Sequence, residues 1–149
     1  MAHFAEIKSN DNKVLRVVVI NNDDVANNGG EYSTEAETWV ANFIPNDPFI
    51  LEEYSQNYPE TYWKQTSYNA SARGVYAGIG YTYHSDVDEF RHPQPFDSWT
   101  WDSVTKVWTP PIPFCENTDE GATFWDEENQ RWKNGEGTKY WDGSAWQNV

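Results

Sequence analysis

Cysteine, leucine, methionine and basic residues are all scarce in this chain, and each scarcity removes a class of answer. Among 149 residues Cys115 is the only cysteine, so no internal disulfide can form. It follows Pro113 and Phe114 with no charged neighbour that would activate a thiolate, and reads as a small buried thiol. Lys and Arg total 10 against 24 Asp and Glu, for a net charge of −14. That balance excludes sequence-independent binding to nucleic acid and binding to an anionic membrane surface, because both need clustered cations. Leu15 and Leu51 are the only leucines and Met1 the only methionine. No apolar run approaches the roughly 18–20 residues of a membrane span. The opening Met1 to Glu6 lacks the basic-then-apolar pattern of a signal peptide, so synthesis in a cytoplasm is expected.

Aromatic residues replace the missing aliphatics: nine Trp, nine Tyr and seven Phe make up 17% of the chain. Together with Val and Ile they favour pleated surfaces, which predicts a mainly β fold with one short helix, a β-rich α+β protein. Residues 3–20 read as a hairpin turning at Ser9 to Asn12. Its second strand, Val14 to Ile20, is interrupted only by Arg16, and so apolar a run suggests the centre of a sheet. Residues 21–30 read as a polar loop. A helix is expected over about 34–44, with Thr34 and Glu37 as a capping box and Trp39, Val40, Phe43 and Ile44 facing the sheet. Pro48 to Tyr54 suggests a further helical turn or an irregular plug. Tyr62 to Ser67 and Val75 to Tyr83 read as strands, with 69–73 as a loop between them, and Gly78 and Gly80 mark a bulge or a close approach in the second strand.

The last third repeats one aromatic phrase. Trp101-Asp102 is answered by Trp108, Trp125-Asp126 by Trp132, Trp141-Asp142 by Trp146, and a looser copy runs from Tyr83 to Phe90. These odd spacings put both rings on one side of two antiparallel strands closed by an even loop, four residues in the longer copies and Gly143-Ser144 in the last. The region therefore predicts a series of Trp-stapled hairpins, with each Asp starting a turn. Pro93-Gln94-Pro95-Phe96 and Pro111-Ile112-Pro113-Phe114 follow the first two copies, so residues 81–96 and 99–114 form an internal duplication. The prolines read as extended spacers. Four irregular copies are too few for a closed ring, which leaves an extended ladder or hairpins draped on a sheet or on a partner. The expected organisation is a β-rich globular domain at 1–90 and a semi-independent hairpin region at 91–149.

Candidate chemistry is thin. His84, Asp86 and Asp88 alternate and could converge on a cation, with His92 nearby, but they lie in an expected turn and lack the glycine and distal glutamate of a calcium loop. Trp99, Trp101, Trp108, Trp125, Trp132, Trp141 and Trp146 are candidates for contact with a protein partner or a glycan. The competing reading makes them internal glue, because an isolated hairpin is marginal in water. Asn69-Ala70-Ser71 matches a glycosylation sequon, read as chance in the expected absence of a leader. No phosphate loop, nucleophile elbow or zinc spacing is present. Nor does any group combine a nucleophile, a base and its orienting partner, so the chain is expected to be neither an enzyme nor a cofactor binder.

Trp63-Lys64-Gln65-Thr66-Ser67-Tyr68-Asn69, Arg73 and Tyr76-Ala77-Gly78-Ile79-Gly80-Tyr81-Thr82-Tyr83 resemble a family of short, mostly uncharacterised proteins in tailed phages of marine bacteria and cyanobacteria. Met1 to Glu6, Val14 to Val17, Phe90, Pro93-x-Pro95-Phe96 and Ser98-Trp99 are similar too. The Trp phrases from 125 to 146 resemble those ending many phage tail and tail-fibre proteins. The resemblance implies a virion structural or accessory protein of capsid, neck or tail, made in the host cytoplasm and acting as a homo- or hetero-oligomer with other virion proteins. A glycan-binding host-attachment module and a tail-fibre assembly chaperone are the alternatives.

Overall fold

A computed structural model of the chain describes residues 1–44, 60–115 and 119–149. The segment containing Pro48 to Tyr54 lies outside the described residues. The fold is a β-rich α+β arrangement with two helices among the described residues, and it divides into two compact units, Met1–Pro93 and Gln94–Val149.

In the first unit, strands β1 (Ala2–Lys8), β2 (Val14–Ile20) and β3 (Thr61–Thr66) form an antiparallel sheet in the order β2-β1-β3. The central strand is thus β1, not the more apolar β2. Phe4, Ala5 and Ile7 are fully buried, whereas Val19 on the edge strand is 49% exposed. The polar residue that disguises β1 is satisfied inside: Glu6 accepts from Arg16 on β2 and Thr61 on β3, and Arg16 lies over the Trp63 ring. A carboxylate with partners on both flanking strands can be buried at low cost.

Residues 21–30 are not all loop. Asn21 caps a short helix, α1 (Asn22–Asn27), by accepting from the Asp23 amide, and the helix buries Val25. Helix α2 (Thr34–Phe43) starts one residue earlier than the expected capping box, because Ser33 accepts from the Ala36 amide. That shift frees Glu37 for a different role. The inner face is Ala36 and Val40, packed with Val25, Ala2, Phe4, Ile20 and Trp63, while Trp39 and Ile44 are only partly covered. Phe43 is 61% exposed and stacks on Trp39 instead of facing the sheet.

Residues 75–81, expected as a strand, are irregular. They are tied down by single bonds: the Ala77 amide to Thr66 Oγ1, the Val14 amide to the Tyr81 carbonyl, and the Gly80 amide to the Val14 carbonyl. Only β4 (Thr82–His84) is regular, and it pairs with β5 (Glu89–Arg91), placing Tyr83 opposite Phe90. Gly74 permits the approach of β5. It has φ +75°, and a Cβ there would lie 2.5 Å from the Phe90 carbonyl oxygen.

Glu37 organises this unit. It is buried, and it accepts from Lys64 Nζ at 3.0 Å, from the Gln65 amide at 3.3 Å and from Arg73 Nη1. Arg73 also donates to the Gln65 carbonyl and pairs with Asp88, which accepts from the Tyr83 hydroxyl. Helix, sheet, loop and hairpin thus meet at one guanidinium. Removing one partner of a buried pair strands the other charge. Glu37→Ala is therefore expected to destabilise the first unit by roughly 3 kcal/mol. Glu37→Leu combined with Arg73→Met should recover much of that loss; urea unfolding of the double variant and of each of its single variants checks this, and a fully additive double variant refutes the coupling.

Candidate functional site

The four aromatic copies are hairpins with the expected cross-strand pairs. In the second unit β6 (Thr100–Asp102) and β7 (Val107–Thr109) set Trp101 opposite Trp108. Strands β8 (Thr123–Asp126) and β9 (Arg131–Asn134) set Trp125 opposite Trp132, and β10 (Lys139–Trp141) and β11 (Trp146–Asn148) set Trp141 opposite Trp146. The last two hairpins are fused. Trp141 also lies opposite Trp132, so β8 to β11 form one four-stranded meander. Trp125, Trp132, Trp141 and Trp146 therefore occupy one register row on one face.

Each turn uses its Asp. Asp102 accepts from the Val104 and Thr105 amides, Asp126 from the Asn129 amide and side chain, and Asp142 from the Ser144 and Ala145 amides. The residue closing each four-residue loop, Asp88, Lys106 or Gln130, has a left-handed backbone with φ of 50°, 57° and 48°. The shared spacing of seven thus encodes a shared loop geometry, and the spacing of five uses Gly143 at φ 104°.

The seven candidate tryptophans have unequal surroundings. Trp125 and Trp132 are buried, with ring centroids 5.2 Å apart, and Trp99 packs edge-on against both at 6.0 Å. Phe114 closes on Trp132 at 5.1 Å and Phe96 on Trp99 at 5.6 Å, so each Pro-x-Pro-Phe spacer delivers its ring onto a tryptophan. Glu127 ties this cluster together, accepting from Trp125 Nε1 and from the Ser98 amide and hydroxyl, while Trp132 Nε1 donates to the Ile112 carbonyl. These bonds hold the Glu127 carboxyl below its usual range, the Ser98 hydroxyl contributing most. Trp101, Trp108, Trp141 and Trp146 are half-buried in their own pairs. Cys115 is buried, and burial pushes its thiol up.

The histidine–aspartate cluster does not converge. Asp88 is engaged by Tyr83 and Arg73, Asp86 is exposed, and burial beside Arg91 lowers the His84 pKa. His92 stacks edge-on against Tyr81. Among the described residues no three His, Cys, Asp or Glu side chains are placed to hold a metal ion.

A concavity of the first unit lay outside the sequence-level candidates. A cleft of about 460 Å³ opens where the start of β1, the end of β3, the following loop and Glu31-Tyr32 come together. Gln65 and Thr66 are buried in its floor, where Gln65 Oε1 accepts from the Tyr32 amide. Tyr68 stands at its rim, 69% exposed, stacked on His3 at 5.6 Å and 24° and touching Tyr76 edge-on at 5.3 Å. Burial and Tyr68 together raise the Tyr76 pKa. The sequence signal was a Tyr68-Asn69 pair after a strand and a Tyr76 eight residues on, but only the fold brings His3 to them.

Two outcomes follow for the hairpins. Trp132→Ala should cost roughly 3–5 kcal/mol in unfolding of the second unit, whereas Trp146→Ala, on the outermost strand, should cost about 1 kcal/mol. Equal losses by chemical denaturation would contradict the unequal packing. The Asp142 carboxyl is held down to about 2, first by the Ala145 amide and then by the Ser144 amide. A depressed carboxylate stabilises fully above its unfolded pKa, and the contribution is lost as pH falls through the folded value. The Ser144 and Ala145 amide resonances should therefore titrate near pH 2; a midpoint at the ordinary 3.8 would refute the turn bonds.

Comparison of this chain with protein-family models, with curated proteins and with solved structures yields no match.

Proposed function

We propose that this protein is a non-catalytic structural or accessory subunit of a tailed-phage virion, in capsid, neck or tail, working through contacts with other virion proteins. The observation that carries the reading is the open end of the tryptophan ladder. The meander ends on β11, which has no further strand beside it among the described residues and carries the half-buried Trp146. An edge of this kind adds a further strand readily, with main-chain bonds for affinity and an aromatic ring for register. The resemblance at Trp63 to Tyr83 supports the phage setting. The charge of −14 suits protein contact and disfavours a role on nucleic acid or an anionic membrane.

Stacking of a host glycan on the tryptophans is less well supported, because Trp125 and Trp132 are buried and the other rings of the row pair with one another. A transient tail-fibre chaperone would use the same edge but leave the particle. Mass spectrometry of gradient-purified particles, set beside the infected lysate, tests the proposal. The protein is expected in particles at a stoichiometry of several copies. Presence in lysate and absence from particles would overturn it in favour of the chaperone.

A further inference from the structure

The cleft of the first unit has features that neither the tryptophan ladder nor the buried ion pairs explain. Its volume of about 460 Å³ lies within the range of about 300–1,000 Å³ typical of small-molecule sites. Its wall is an aromatic platform. Tyr68 is packed against His3, which also lines the cleft, and against Tyr76, and its 69% exposure leaves ring surface open. A ring already immobilised by its neighbours loses little rotamer freedom when a ligand lies on it.

The backbone around the platform is held in a costly shape. Tyr32 and Ala70 adopt left-handed conformations, at φ 58° and 52°, although neither is glycine. Such residues cost about 1 kcal/mol or more each and persist where the surroundings over-determine them. The surroundings do so here: the Tyr32 amide is bound by Gln65 Oε1, the Ala70 amide by the Ser67 carbonyl, and the Ser71 amide by Ser67 Oγ. Gln65 Oε1, Thr66 Oγ1 and Ser67 Oγ are thus engaged internally, and the exposed rim offers Glu31 and Asn69.

An open ring face beside an amide and a carboxylate matches a pyranose, which has one apolar face and a girdle of hydroxyls. Glu31 in the rim and the charge of −14 disfavour an anionic ligand. We propose that this cleft binds a neutral saccharide, one pyranose ring lying on Tyr68 with its hydroxyls bonded by Glu31 and Asn69. The site is independent of the virion reading, and equally independent of the tryptophans.

The test is a titration of the full-length, isotope-labelled chain with D-glucose, D-galactose and N-acetyl-D-glucosamine at millimolar concentrations, followed by amide NMR. N-acetylneuraminic acid supplies the anionic arm. Shifts are expected at residues 1–3, 31–32 and 65–72 with at least one neutral sugar and none with the acid. Tyr68→Ala should weaken that binding roughly three- to tenfold, the loss of one aromatic contact. Asn69→Ala, an exposed change that leaves the platform intact, should weaken it too, while Trp146→Ala should not. No shift with any of the three neutral sugars, shifts confined to tryptophan resonances, or binding of the acid alone would overturn the proposal.

Discussion

Glu37 and Arg73 come from segments that the sequence separates by 36 residues, and they meet where helix α2 crosses the end of β3. Much of the first unit depends on that meeting. Arg73 is held in a left-handed conformation, its carbonyl accepts from the Phe90 amide, and its guanidinium reaches Glu37, the Gln65 carbonyl and Asp88 at once. Asp88 in turn holds the Tyr83 hydroxyl; burial first, and then this bond, raise the Tyr83 pKa. Lys64, Gln65, Asp88 and Phe90 thus converge on a pair of which neither member is more than a tenth exposed. An apolar pair could fill the same volume, but it could not specify which carbonyl, hydroxyl and carboxylate belong beside it. The ionic centre therefore sets the register of loop against hairpin, while Phe4, Val25, Val40 and Trp63 supply the apolar burial.

The second unit is specified differently. Its order comes from one scheme applied three times: an Asp that opens the turn, a left-handed residue or glycine within the loop, and two tryptophans meeting edge-on across the strands. This is why the hairpin region was legible in the sequence. The signal was local, and a period-two strand leaves no freedom about which side the rings take. The fusion of the last two hairpins was not legible, because the pairing of Trp132 with Trp141 depends on the register set by the Gly135-Glu136-Gly137-Thr138 connection.

The first unit was less legible, for physical reasons that can be named. The hydrophobicity of Val14 to Ile20 pointed to the sheet centre, but β1 takes that place because Glu6 is satisfied from both sides. Thr34 and Glu37 matched a capping box, yet Ser33 is the better-placed cap, and Glu37 is needed elsewhere. Residues 75–81 carry a strand's composition without a partner strand among the described residues, and several of their amides and carbonyls are satisfied one at a time. The cleft was invisible because His3, Tyr32 and Tyr68 become neighbours only after β1 and β3 pair. In each case a long-range partner overrode a local preference.

The contrast between the two units also bears on how the chain reaches its fold. In the hairpin unit nearly every strand pairs with its neighbour in sequence, so each closure spans a short loop and the meander can assemble in whatever order its turns form. The first unit must bring Glu6 to Thr61 across 55 residues, and its ionic centre must wait for Arg73 and Asp88. On a ribosome the earlier half of the chain is thus the half that cannot finish alone: β1 emerges first and stays incomplete until β3 and the β4–β5 hairpin have followed it.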